Sequence, residues 1–126
     1  MTILNELSRS RHVSLITYRK DGTTVATPVW HVMDGGQLFV STKPDSWKVK
    51  RIRNDPRVIV TVCSARGRIA EGAASAAGTA RLLDTAGTDD VRRLLAGKYP
   101  TVRLTLLLLR FLGRRQRPAI GLAVSF

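Results

Sequence analysis

The sequence predicts a mainly β protein with flanking helices, with about six to seven strands in one domain spanning residues 1–126. Three observations predict it. Short segments of alternating polarity are bounded by Asp21-Gly22 and by Asp34-Gly35-Gly36, the turn chemistry of hairpins. Residues 57–64, RVIVTVCS, are almost continuously apolar, as in a strand covered on both faces. Helical runs flank the strands: a short one at residues 1–11, a basic one within residues 41–57, and two from Thr88-Asp89-Asp90 onward. A chain of 126 residues, 44% hydrophobic and 24% charged, has enough apolar material for one core and too much to stay disordered.

Taken in order, residues 1–11 form a short helix with Ile3, Leu4 and Leu7 on one side, placed to pack across a barrel end. Residues 12–19 alternate as a strand, and Asp21-Gly22 turns it into a return strand over residues 24–32. Pro28 interrupts that return strand and cannot donate to a ladder, so the strand should lie at an edge or bulge there. Residues 34–36 close a second hairpin, and Gln37 to Thr42 form the next strand. A short helix follows, then the apolar strand from Arg57, a turn at Arg66-Gly67-Arg68, and an Ala- and Gly-rich segment over residues 71–83 whose small side chains suit close packing. Acidic residues at 89 and 90 open a helix that Pro100 separates from a second helical run, residues 101–117. Residues 118–126 alternate as a closing strand.

The single cysteine, Cys63, cannot form an intrachain disulfide and reads as a structural thiol in a reducing, cytoplasmic setting. No charged stretch followed by an apolar one opens the chain, so no signal peptide is expected. His31 and His12 stand without Cys, Asp or His at ligand spacing, so no metal site is expected; His31 counts only as a minor pocket candidate beside Trp30.

Charge is the unusual global property: 21 Lys and Arg against 9 Asp and Glu, a net +12, which favours anionic partners. Six of the Lys and Arg fall in STKPDSWKVKRIRNDPR, residues 41–57. A strand ends in Ser41-Thr42, a helix opens at Asp45-Ser46, and Lys48, Lys50, Arg51 and Arg53 follow before Asp55-Pro56 stops it. A helix N-terminus presents unpaired N–H groups and partial positive charge, so an anion beside Ser41 and Thr42 would meet donors there, with Lys48 within reach. At about 100° per residue Val49 and Ile52 face the core, Lys48 and Arg51 share one flank, and Lys50 and Arg53 the other. A merely solvated basic face remains the alternative on these grounds.

The ordered pattern TPVWHVMDGGQLFVSTKPDSWKVKRIRNDPRVIVTV, extended N-terminally by HVSLITYRKDGTTVATPVW, resembles the split β-barrel flavin-binding superfamily, the pyridoxamine-phosphate-oxidase-like proteins. Within it, the chain resembles the branch that uses the deazaflavin coenzyme F-420 in place of FMN. The resemblance runs from about His12 to Val62 and weakens beyond. It implies a split β-barrel, a homodimer, and hydride transfer from reduced F-420 to a small organic acceptor, with the chemistry carried by the coenzyme. It further implies that Ser41, Thr42 and Lys48 hold the phosphate, that Lys50, Arg51 and Arg53 are candidates for the oligoglutamate tail, and that Thr27, Pro28, Val29 and Trp30 border the ring. Packing alone could also account for Trp30. FMN is the less favoured cofactor, because the arginine expected on the second strand is missing.

No phosphate loop, dinucleotide fingerprint or nucleophile elbow is present, and no catalytic residue is assigned. The runner-up class is a non-catalytic basic module for nucleic acid. The aromatic residues, 6% of the chain, are not interleaved with cations as stacking platforms are, which argues against it. In residues 101–117, Arg103, Arg110, Arg114 and Arg117 fall in an arc of about 60° on an otherwise apolar helix. Coverage by the barrel and a second subunit ranks first for that run. Peripheral membrane contact ranks second and a lid over the site third.

Overall fold

The computed structural model describes residues 3–113 and 118–126; the side chains of Ile3 and Leu4 and the residues Arg114 and Arg117 lie outside the described set. The elements are α1 (Ile3–Arg9), β1 (His12–Tyr18), β2 (Thr24–Val29), β3 (Val32–Asp34), β4 (Gln37–Thr42), α2 (Trp47–Asn54), β5 (Arg57–Cys63), β6 (Ser75–Leu82), α3 (Thr85–Lys98), α4 (Pro100–Phe111) and β7 (Ile120–Ser125). The strands form one antiparallel sheet in the order β2-β1-β5-β6-β7-β4-β3.

That order, set beside the chain order, explains the shape. β2 and β3 occupy opposite edges of the sheet, yet only Trp30 and His31 separate them in sequence. Three peptide steps reach at most about 11 Å, so the two edges must approach and the sheet must curl into a split barrel. The single return strand expected over residues 24–32 is therefore two strands. β2 stops at Val29 and the chain crosses the seam to start β3. Pro28 sits on the edge strand as its missing N–H requires, opposite Ser14.

Alternation along the strands fills the barrel. Val13, Leu15, Leu38, Val40, Val58, Val60, Leu122 and Val124 point inward, and Leu7 of α1 and Ile52 of α2 close the core. Gly35 and Gly36 have φ of 58° and 80°, which makes the tight β3–β4 turn possible. The helix expected from residue 88 starts earlier, at Thr85, because Asp84 caps it by accepting from the Gly87 N–H at 2.8 Å. Thr88 is then free to accept from the Gly121 N–H of β7 at 2.9 Å, which docks α3 on the sheet. A second cluster, Val32, Val91, Leu95 and Tyr99, fixes α3, and Val102 of α4 packs on it.

Candidate functional site

Helix α2 is built by its own sequence. Val49 and Ile52 are buried against the barrel, Ser46 occupies the N-cap in an extended conformation, and Asp55-Pro56 ends the last turn. The Ser46 side chain does not cap the helix; its hydroxyl lies 3.5 Å from that of Thr42. Ser41 and Thr42, half-buried at the end of β4, thus stand beside a helix N-terminus that no side chain caps.

The cations divide. Lys48 is half-buried; burial, and then the charge of Arg51, push its ammonium below the usual lysine range. Arg51 reaches back to β1 and donates from Nε to the Thr17 hydroxyl at 2.7 Å, with burial and the charge of Arg19 opposing its own charge. Lys50 lies over the Trp47 ring at 4.4 Å. Arg53 is exposed. Arg57 is paired with Asp55 at 2.8 Å and lies over the Tyr18 ring at 4.9 Å.

Along one side of α2 runs a groove of about 460 Å³ lined by Tyr18, Arg19, Lys20, Trp47, Lys50, Arg51 and Asn54. Residues 47, 50, 51 and 54 follow the i, i+3, i+4, i+7 spacing of one helix face, and Tyr18, Arg19 and Lys20 come from the end of the β1–β2 hairpin. Four cations line it and no carboxylate does. The helix wheel had separated Lys50 from Arg51; the groove brings both together and leaves out Lys48 and Arg53. Lys48 lies near enough to Arg51 to feel its charge.

The second predicted group is placed differently. Thr27 and Val29 are half-buried along β2, and Pro28 is exposed, with the Gly67 turn close beside it. Tyr18 pairs with Thr24, so Thr27 stands about 10 Å and Trp30 about 20 Å along the strand from the hairpin end of the groove. Trp30 is 43% exposed rather than a core aromatic; it stacks on Tyr99 at 5.0 Å and donates to His12 Nε2 at 2.7 Å. His31 is fully buried in the seam, with Nε2 2.5 Å from the Leu7 carbonyl. It is a structural residue there. Among the described residues no group of three His, Cys, Asp or Glu could hold a metal. Cys63 is half-buried, and burial raises its thiol above the usual range, so it stays protonated.

Reasoning from sequence missed Tyr18, Arg19, Lys20, Trp47 and Asn54. The spacing from Trp47 could have located Asn54, but nothing local places a hairpin end beside this helix.

Comparison with solved structures places the architecture. A conserved hypothetical protein from Mycobacterium tuberculosis is 20% identical with a TM-score of 0.73, over 99% of this chain and 80% of that one. A protein described as an F-420 reductase is 17% identical with a TM-score of 0.58, over 96% of this chain and 90% of that one. HutZ, the heme storage protein of Vibrio cholerae, is 11% identical with a TM-score of 0.69, over 98% and 86%. At such identities the likeness establishes the fold alone. No curated protein matches the chain. The sequence pattern of the family described as pyridoxamine 5'-phosphate oxidase matches residues 2–111, most of the length, and with the curled seven-stranded barrel it shows that the chain belongs to that family.

Proposed function

We propose that this split barrel binds the deazaflavin coenzyme F-420 and is an oxidoreductase acting on a small organic acceptor. The observation that carries the reading is the groove beside α2, with four cations and no carboxylate. An oligoglutamate tail is a polyanion and a phosphodiester adds one further negative charge, and the groove and the adjacent helix N-terminus fit both. Ser41, Thr42 and Lys48 hold the phosphate. Lys50 and Arg51 take the tail, aided by Arg19 and Lys20, with Arg53 at the margin. Thr27, Pro28 and Val29 border the ring, and Trp30 closes the far end of that wall. When bound, the reduced deazaflavin supplies the hydride; the protein positions it and shields one face from water. FMN, with a single phosphate, leaves most of these cations unused. The single cysteine supports a reducing, cytoplasmic setting.

The reading includes a homodimer. Ala26, Ile16, Ile59 and Ala77 stand in register across four strands on the outer face of the sheet, an apolar row available to a second copy.

The test is a fluorescence titration of the purified protein with F-420, and in parallel with FMN and haem. Trp47, 71% exposed on the groove, gives an intrinsic signal. F-420 should bind more tightly than FMN, and Lys48→Ala should weaken it by roughly 1.5–3 kcal/mol, the worth of a charge-assisted contact. FMN binding as tightly as F-420, or Lys48→Ala titrating like the wild type, would refute the assignment.

A further inference from the structure

We propose that α4 is a docking element for an anionic lipid bilayer, lying flat in the headgroup region. Among the described side chains of the helix, those that meet the rest of the protein lie along one stripe. Val102 packs on the Val32, Val91, Leu95 and Tyr99 cluster, and Leu109 is half-buried on the same side. Its opposite side is bare. Leu104, Leu107, Leu108 and Leu112 are each more than half exposed, and Phe111 is 88% exposed. On the helix wheel these five span an arc of about 140°, and Arg103 and Arg110 lie together along one border of it. Both arginines are exposed.

Charge selects the occupant. After Asp90 the sequence holds eight Lys and Arg and no Asp or Glu. A two-fold contact between copies of α4 would place Arg103 and Arg110 beside their own duplicates, with no carboxylate on either helix to pair them. Lipid phosphates supply the missing counter-charge, while the leucines and Phe111 enter the acyl boundary and the arginines extend their stems to the headgroups. The orientation follows from length. Twelve residues make a helix of about 18 Å against a hydrocarbon core of ~30 Å, and no helix among the described residues is long and apolar enough to cross a membrane. The apolar row proposed for the second copy lies on the sheet, so docking leaves it available.

Co-sedimentation of the full chain with vesicles tests this, using phosphatidylcholine alone and an equal mixture with phosphatidylglycerol. Binding is expected to the mixed vesicles and to fall as salt is raised. The double variant Leu107→Ser, Phe111→Ser should lose binding tenfold or more, and Arg103→Gln, Arg110→Gln should lose severalfold with a flatter salt dependence. Both substitute exposed side chains, so circular dichroism and F-420 titration should match the wild type. Three results would overturn the proposal: no binding to mixed vesicles, equal binding by the Leu107 and Phe111 double variant, or conversion of a dimer to a monomer by that variant, which would give the face to a second copy.

Discussion

At the scale of single residues, Gly78 shows how tightly the Ala- and Gly-rich strand is specified. Its backbone is not left-handed, so conformational freedom is not the reason for glycine. The reason is proximity, since a Cβ there would lie 2.6 Å from the Ser125 carbonyl and 2.9 Å from Val124 Cγ1. The small side chains over residues 71–83 suit close packing, and at Gly78 the close neighbour is the protein's own last strand. Gly78→Ala must push β7 away from β6, in the middle of the sheet, and should cost about 1–3 kcal/mol by urea denaturation. Ala76→Gly, two residues along the same strand face, removes volume without a clash and serves as the comparison. Equal stability of Gly78→Ala and wild type would show that β7 has room to move.

At the scale of elements, the proposed dimer row can be tested because it draws on four strands at once. Ile16 and Ile59 alternate with inward residues of the core, so their side chains face outward by the period of the strand. They are half-buried, and Ala26 and Ala77 at the two ends of the row are exposed. Ala77→Arg should convert a dimer to a monomer in sedimentation equilibrium without altering circular dichroism, and Ile59→Asp should do the same. A dimer that survives both places the contact elsewhere. What made these strands legible was local pattern. β1, β4 and β5 were readable to within a residue, because alternation or continuous apolarity ran unbroken between clear turn residues. The break at Trp30 was not legible. It is imposed by the closure of the barrel, when the chain leaves one edge of the sheet for the other, and no local propensity marks it. The start of α3 was hidden by Ala86 and Gly87, although the Asp84 cap three residues before Gly87 is a local signal. The candidate site divides in the same way: the α2 face follows from helical spacing, while the contribution of the hairpin end depends on tertiary packing.

At the scale of the whole molecule, the seam that closes the barrel carries a pH dependence. His31 lies in it, fully buried between α1, α3 and the two sheet edges. Its shortest contact, Nε2 to the Leu7 carbonyl, places the proton on Nε2, while buried Nδ1 has no partner. A second proton would sit on that unpaired nitrogen, with the Lys98 ammonium 3.3 Å from the other one. Desolvation above all, and then the charges of Lys98 and His12, lower its pKa from 6.5 to about 4, although the Leu7 carbonyl acts in the opposite sense. The unfolded chain therefore takes up a proton near 6.5 that the folded one refuses until about 4. The contribution of His31 to stability should be level above 6.5, fall as pH drops through the interval, and lose about 3 kcal/mol in all. Other groups act outside this window. Lys98, lowered to about 8 by burial, stays charged in both states throughout it. Asp21, held below 3.8 first by the Thr23 N–H, and Asp55, held below 3.8 first by the Arg57 side chain, begin to matter only under it. Urea denaturation at closely spaced pH values gives the slope, and His31→Gln, which can keep the donor to Leu7, should flatten it. An unchanged slope in that variant would move the acid sensitivity away from the seam.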